Sequence, residues 1–289
     1  MDYNSLKVRL NFNNGEVFSI GRSVLGKEIF AIEFDYGKKE TIIVQAAIHA
    51  REHITSDLCL LLAKKLDYNF SKFKGKIPNI IFVPLANPDG AEIVTCGTKN
   101  LTNARAEFIK NLLGEEDFKL YKSNARGVDL NNNFNAKFKT DPAYKDKPAS
   151  SGFPGYFFES EPETRALARL ARVKKTIFTI SLHSKGEEIY FNFNLDKKKV
   201  KAHKKVANIF QNMLKYNLVD KPSYSAGGFK DYCVLELKIP SITIEVGRDD
   251  LTHPLSSVNL QEIAVKFKNF LDALVKTNKL INKIGLEKF

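Results

Sequence analysis

The sequence predicts an α/β fold in which a mixed, largely parallel twisted sheet carries helices on both faces. The main observation is that short apolar runs typical of strands alternate along the chain with helical segments of ten or more residues. Two of these runs, residues 42–48 and 176–182, have the β-branched and apolar content of buried strands. No internal repeat, low-complexity tract or clear linker divides the 289 residues. We therefore expect a single domain over residues 1–289.

The N-terminal third begins with short apolar pieces separated by glycines, which predict antiparallel strands and hairpin turns over residues 1–40. A buried strand at 42–48 follows, then the polar sequence HAREH, and then an amphipathic helix that ends near Leu66. Residues 80–85 predict another strand. The sequence Asn-Pro-Asp-Gly after it, residues 87–90, is a strong turn signal.

The middle and C-terminal parts contain fewer and longer elements. Residues 96–123 predict irregular structure with short helices, and the proline-rich stretch 137–159 predicts a long loop. A helix over residues 160–173 would be capped by Ser160, with Pro162 in its first turn. We expect strands at residues 176–182, 189–193 and 241–246, and amphipathic helices at residues 197–216 and 258–277.

Side chains that can bind a metal follow three of the predicted strands. His49 and Glu52 come after the first, His183 ends the second, and Glu245 lies in the third. Sites in α/β sheets gather beyond the carboxyl ends of strands, so we expect these residues to meet. Two His and one Glu leave a fourth position on zinc for water, which is the arrangement of catalytic sites. Glu245 would then be the general base.

The sequence HAREH also matches the inverted zinc motif H-x-x-E-H, which offers a second interpretation. In that arrangement His49 and His53 would bind zinc from one helix, and Glu52 would be the base. The apolar strand runs directly up to His49, which favours a loop at this point, and His183 would be left without a role. A single His at a strand end is often structural, so the prediction of a metal site depends on the combination of residues.

The order of these motifs resembles the zinc carboxypeptidases of the carboxypeptidase A type, over about residues 19–247. The resemblance implies a zinc carboxypeptidase-like fold with Zn²⁺ held by His49, Glu52 and His183. It implies that Asp129 hydrogen-bonds His49. It further implies that Asn131 binds substrate and that Arg126 stabilises the oxyanion, with Lys122 as a competitor for that role.

One position departs from that family. Carboxypeptidases carry an Arg directly after the substrate-binding Asn to hold the C-terminal carboxylate, and Asn132 stands there in this chain. Tyr224 also lies one residue closer to the Gly227–Gly228 pair than the mobile Tyr of those enzymes. These two departures argue against the removal of single C-terminal residues.

Three segments, residues 121–134, 160–167 and 182–191, resemble the bacterial γ-D-glutamyl-L-diamino-acid endopeptidases, which cut peptidoglycan stem peptides. The resemblance implies a muropeptide substrate, cut between γ-D-Glu and the diamino acid. Glu187 or Glu188 would meet a substrate amino group, or would be a solvated loop residue. The alternatives are a metallocarboxypeptidase acting on ordinary peptides and a non-catalytic cell-wall-binding protein on the same fold.

Composition restricts the remaining partners. The net charge of +12 comes mostly from Lys spread along the chain, which indicates a solvated surface or an anionic partner. No basic motif interleaved with aromatic residues supports nucleic-acid binding. No apolar run approaches the ~20 residues that span a bilayer. The N-terminus has no apolar signal core and the three cysteines have no close spacing, so we expect a cytoplasmic protein.

Overall fold

The computed structural model describes residues 1–220 and 226–289, so Tyr224 lies outside the described residues. Within them are eight strands, β1 Glu16–Arg22, β2 Glu28–Phe34, β3 Glu40–Ala46, β4 Asn79–Val83, β5 Lys175–His183, β6 Glu188–Tyr190, β7 Asn217–Val219 and β8 Ser241–Glu245. They form one sheet in the order β1-β2-β4-β3-β5-β8-β6-β7. The neighbours β4, β3, β5 and β8 run parallel, whereas β1, β2 and β6 form antiparallel pairs. The predicted mixed, largely parallel sheet is therefore confirmed.

Helices cover both faces of the sheet, as the sequence predicts. Alternate residues of β3 show this, because Ile42 and Val44 join one hydrophobic core while Ile43 joins the other. The helices are α1 Tyr3–Arg9, α2 Ile54–Tyr68, α3 Phe70–Phe73, α4 Pro88–Cys96, α5 Asn103–Leu113, α6 Pro162–Val173, α7 Lys197–Leu214, α8 Phe229–Leu235, α9 Leu260–Lys266 and α10 Phe270–Ile284. Helices α2, α7 and α10 pack into the first core, and helices α6 and α8 pack into the second. Among the described residues, no helix is both long enough and apolar enough to cross a membrane.

The central strands end at the same edge of the sheet. Ala46 at the end of β3 pairs with Leu182 of β5, and His183 pairs with Glu245 of β8. The parallel register therefore brings the loop after β3 next to His183 and Glu245.

Four local predictions differ from the structure. Residues 1–40 include the short helix α1 as well as the hairpin, and its Asp2 cap accepts a hydrogen bond from the Ser5 amide. Residues 87–90 form the start of helix α4 and not the predicted turn. Asn87 caps the helix, and Pro88 fits its first position. Glu161, not Ser160, precedes α6. The predicted final helix is divided into α9 and α10.

Candidate metal centre

The loop after β3 is held in shape by Thr55, which lies at the start of α2. Its hydroxyl donates to the Glu52 carbonyl at 2.7 Å and accepts from the Ala47 amide at 2.9 Å. Ala47 has a positive φ of 50°, and a short 3-10 turn spans Ala50–Glu52. This backbone path turns the side chains of His49 and Glu52 into the protein, where both are buried.

Three potential ligands converge beyond the strand ends. The Nδ1 atom of His49 lies 2.8 Å from Glu52 Oε1, and Nδ1 of His183 lies 3.0 Å from Glu52 Oε2. The two Nδ1 atoms are 3.1 Å apart. One donor atom from each of the three residues falls within 4.8 Å of the others, and all three residues are buried. The structure thus brings together the three residues that the sequence predicted as ligands.

The donor set fits a zinc ion. Two ring nitrogens and a carboxylate point at one another in a buried position, where their lone pairs repel unless a proton or a cation lies between them. Two His and one Glu with an open fourth position form the ligand set of catalytic zinc sites. His53 does not join them, because its Nδ1 lies 3.1 Å from the Met1 amino group. The inverted H-x-x-E-H interpretation is therefore not supported.

The charges of the ligands depend on one another. Burial alone would raise the pKa of Glu52, but the neighbouring rings of His49 and His183 outweigh it and hold that pKa well below its usual range. Burial opposes protonation of His49, yet Glu52 and Asp129 raise the pKa of the ring above its usual value. The cluster is therefore an anionic pocket that favours a positive charge at its centre.

Asp129 contacts the side of the His49 ring that faces away from the ligand cluster. Its Oδ1 lies 3.3 Å from His49 Nε2, the ring nitrogen that faces away from the ligand cluster. Its Oδ2 accepts from the Gly152 amide at 3.2 Å and lies 3.2 Å from Lys122 Nζ. Burial would raise the pKa of Asp129, but Lys122 and His49 together lower it below its usual value. An ionised Asp129 keeps the His49 proton on Nε2 and leaves Nδ1 free for a metal.

Glu245 lies beside the ligands without belonging to them. It pairs with His183 across β5 and β8 and lines the adjoining cleft. Burial raises the pKa of Glu245 to about 8, with His183 opposing the shift and Glu52 adding to it. A cation bound by the neighbouring ligands would favour the ionised carboxylate, which is the form that a general base requires.

The cleft itself has a volume of about 350 Å³. It is lined by the ligands His49 and Glu52, by Glu245, and by residues from three further loops and strands, namely Lys122, Tyr190 and His253. A polar cleft of this size beside three metal ligands can admit a segment of a peptide.

Comparison with known proteins identifies a family. Residues 10–265 match the family described as zinc carboxypeptidase. The chain belongs to the zinc carboxypeptidase family. The resemblance that the motif order indicated is therefore confirmed, and zinc is the metal that the three ligands hold.

Two relatives illustrate the sequence similarity. The uncharacterized protein YqgT of Bacillus subtilis (strain 168) is 30% identical over 249 residues, which cover 79% of this chain and 64% of that protein. Gamma-D-glutamyl-L-diamino acid endopeptidase 1 of Lysinibacillus sphaericus is 27% identical over 251 residues, which cover 82% of this chain and 62% of that protein. The chain spans less than two thirds of the length of either relative.

Solved structures share the fold at lower identity. Bovine thrombin-activatable fibrinolysis inhibitor, in complex with tick carboxypeptidase inhibitor, matches with a TM-score of 0.74 and 20% identity over 98% of this chain and 96% of that chain. Murein-tripeptide amidase MpaA from Escherichia coli O157 matches with a TM-score of 0.60 and 21% identity over 93% of this chain and 94% of that chain. The zinc carboxypeptidase-like fold is thereby established.

Of the two residues considered for the oxyanion, the structure brings Lys122 to the zinc carboxypeptidase site and not Arg126. Lys122 lines the cleft, and its backbone carbonyl accepts from Ala50 between the two ligands of the loop. The half-exposed guanidinium of Arg126 lies 3.6 Å from the Glu161 carboxylate, and Arg126 does not line the cleft. The preference for Arg126 is therefore corrected, because its side chain turns to an acidic partner outside the cleft.

The predicted substrate contacts differ in their surroundings. The Asn131 side chain accepts from the Phe229 amide at 3.1 Å and so joins its loop to α8, while the neighbouring Asn132 is buried. Glu187 forms an ion pair with Lys266 of α9. Glu188 accepts from the hydroxyl of Tyr190 at 2.5 Å, and Tyr190 lines the cleft. Of the two carboxylates, Glu188 is therefore the one that contacts a residue of the cleft.

Asn87 supports the site in a way that the turn prediction missed. Its amide donates to the Ile48 carbonyl at 3.2 Å and to the Ser123 carbonyl at 3.1 Å. It thereby joins the loop of His49 to the loop of Lys122. Gly90 follows in α4, where a Cβ atom would lie 2.6 Å from the Ser123 carbonyl, so only glycine permits this approach.

Proposed function

We propose that this chain is a zinc-dependent peptidase that hydrolyses peptidoglycan-derived stem peptides between γ-D-Glu and the diamino acid. The observation that carries the proposal is the pairing of a complete His49, Glu52 and His183 ligand set with Glu245 on the neighbouring strand. This constellation supplies both parts of metal-assisted amide hydrolysis, a metal site and a base.

The reaction proposed is the attack of water on the scissile carbonyl. His49, Glu52 and His183 would hold the zinc ion, which when bound would polarise the scissile carbonyl and lower the pKa of a water molecule. Glu245 removes a proton from the attacking water and later delivers it to the leaving nitrogen, so the C–N bond breaks and the products are a carboxylic acid and an amine. Glu245 is the candidate for both transfers because it pairs with His183 across β5 and β8 and lines the cleft.

Lys122 is proposed to stabilise the negative charge that develops on the carbonyl oxygen. It is a cation of the cleft wall, and its contact with buried Asp129 at 3.2 Å restricts where the ammonium can lie. A fixed cation of this kind acts in the transition state because it needs no reorganisation when the charge appears.

Two observations support a peptidoglycan substrate over an ordinary C-terminal residue. Asn132 is neutral at the position where carboxypeptidases are expected to hold a C-terminal carboxylate with a cation. Relatives named gamma-D-glutamyl-L-diamino acid endopeptidase and murein-tripeptide amidase share the family or the fold. Glu188 and Tyr190 would provide an acidic group for the free amino group of the diamino acid.

The substitution Glu245→Gln tests the mechanism. We expect the variant to bind zinc as the wild-type chain does and to lose about 10²–10⁴-fold in kcat on a γ-D-Glu-diamino acid peptide. Glu187→Gln is the matched control, because Glu187 pairs with Lys266 and should leave turnover unchanged. Near-wild-type turnover of Glu245→Gln would remove Glu245 from the mechanism. A wild-type chain that binds no zinc would instead favour the non-catalytic wall-binding alternative.

A further inference from the structure

A second cavity, with a volume of about 350 Å³, lies between strand β1 and helix α6. Its wall contains one arginine from the end of the strand and three from the helix, namely Arg22, Arg165, Arg169 and Arg172. The chain has nine arginines and 36 lysines, yet no lysine in residues 1–220 and 226–289 lines this cavity. None of its lining residues lines the cleft of the metal centre. The cavity is therefore a separate site, and its cations are arginines.

Small residues leave room between the strand and the helix. The pairing of β1 with β2 shifts between Ser19 and Gly21, and an irregularity of this kind changes the direction of side chains along a strand. A Cβ atom on Gly21 would lie 3.1 Å from the Cβ atom of Ala166, so the two backbones are close at this point. The longer arginine side chains surround these two small residues. The volume they enclose lies within the range of small-ligand sites, about 300–1,000 Å³.

Two of the four arginines have acidic partners within the protein. Arg22 forms an ion pair with Glu28 of β2. Arg172 binds both carboxylate oxygens of Glu159, with Nη1 3.0 Å from Oε1 and Nη2 3.1 Å from Oε2. Its Nη1 also donates to the hydroxyl of Tyr232 at 3.0 Å. The charges of these two arginines are therefore compensated.

The other two arginines, Arg165 and Arg169, form no ion pair with any residue that the structure describes. They lie four residues apart on the exposed face of α6, a spacing at which like charges destabilise a helix. The Arg165 side chain is held in place, because its Nη1 donates to the carbonyls of Glu159 at 2.9 Å and Ser160 at 2.6 Å. The cavity thus carries two uncompensated positive charges.

Two uncompensated charges favour a phosphate group over a single carboxylate. A phosphate monoester carries a charge of about −1.5 to −2 at pH 7 and presents three acceptor oxygens, whereas one carboxylate carries a single charge. The planar guanidinium of arginine binds phosphate through two parallel hydrogen bonds, which the ammonium of lysine cannot do. Ile20 and Pro162 also line the cavity and offer apolar surface to the organic part of such a ligand.

We propose that the cavity between β1 and α6 is a binding site for a phosphate monoester. The phosphate group lies between Arg165 and Arg169, and the organic part lies against Ile20 and Pro162. The site shares no lining residue with the catalytic cleft. It therefore adds a second ligand to the proposed peptidase and does not depend on which bond that peptidase cuts.

Calorimetry with phenyl phosphate on the zinc-loaded chain tests the site. We expect a Kd of about 1 mM or below at pH 8. Arg169→Gln should weaken binding about tenfold or more, since it removes charge-assisted hydrogen bonds. Arg169→Lys should recover only part of the affinity, because it restores the charge without the planar guanidinium. Affinity should also fall as the pH is lowered through about 6, where a phosphate monoester takes up its second proton.

The controls separate this site from the metal centre. Phosphate groups also bind zinc, so Lys122→Met, which removes a cation of the catalytic cleft, is measured beside Arg169→Gln. We expect Lys122→Met to bind phenyl phosphate as the wild type does, and thermal unfolding of each variant checks that it is folded. Affinity that falls in Lys122→Met and is unchanged in Arg169→Gln would place the ligand in the cleft and overturn the proposal. Absence of binding in this concentration range, or equally tight binding of the dicarboxylate succinate, would also overturn it.

Discussion

Replacing Asp129 by Asn should weaken zinc binding by about 10–100-fold, or about 1.4–2.8 kcal/mol. Oδ2 of Asp129 accepts from the Gly152 amide at 3.2 Å and lies 3.2 Å from the Lys122 ammonium. In the Asn variant these two donors would therefore keep the side-chain oxygen at the position of Oδ2. The amide NH₂ would then face His49 Nε2, which now lies 3.3 Å from a carboxylate oxygen.

This exchange acts through the tautomer of His49. Two donors cannot face each other, so the ring would shift its proton to Nδ1, the atom that lies 2.8 Å from Glu52 and faces the metal position. Zinc must then displace that proton or bind beside an unpaired amide. Loss of the Asp129 charge also frees Lys122 as an uncompensated cation near the site, which adds to the loss of affinity.

Competition for zinc with a chromophoric chelator at neutral pH measures the effect. Asp67→Asn is the matched control, since Asp67 is a buried carboxylate that accepts from the Asn13 amide at 3.0 Å and the Asn14 amide at 2.7 Å. That variant should lose stability and keep its zinc affinity. A zinc affinity of Asp129→Asn within twofold of the wild type would refute the role given to Asp129.

Three other substitutions test separate parts of the account. Lys122→Met should lower kcat about 10²–10³-fold at equal zinc content, and Lys122→Arg should recover most of it; an unaffected Lys122→Met would exclude an oxyanion role. His53→Gln should keep zinc and turnover, since His53 faces the Met1 amino group, and loss of zinc would restore the inverted motif. Burial, with Asp89 adding to it, raises the pKa of Glu163 from 4.5 to about 7, so the folded state holds a proton that the unfolded chain has released. Unfolding free energy of the metal-free chain should therefore fall by up to about 3 kcal/mol as pH rises from 4.5 past 7. Urea unfolding of Glu163→Gln should show a flatter pH profile, and an identical slope would contradict this.

The metal centre was predictable from the sequence because its residues lie at the ends of predicted strands. His49, His183 and Glu245 each follow or close an apolar run, and parallel pairing of those strands brings such residues to one edge. The support of His49 by Asp129 was accessible only through resemblance to a family, since Asp129 lies in an irregular loop whose path no periodicity describes.

Errors arose where one short pattern fits two local structures. Asn-Pro-Asp-Gly is a good turn and also a good helix start, and the packing of Gly90 against the Ser123 carbonyl decides for the helix. Arg126 and Lys122 lie four residues apart in one polar loop, so spacing alone does not say which reaches the cleft. The Arg126 side chain lies instead beside the carboxylate of Glu161, which is remote in sequence.

Mass spectrometry of the products from a defined stem peptide tests the central claim most directly. The zinc-loaded chain is incubated with L-Ala-γ-D-Glu-diaminopimelate-D-Ala. We predict two products, L-Ala-D-Glu and diaminopimelate-D-Ala, and no product from the Glu245→Gln variant on the same timescale. Release of D-Ala alone, leaving the γ-D-Glu bond intact, would contradict the account and favour a carboxypeptidase.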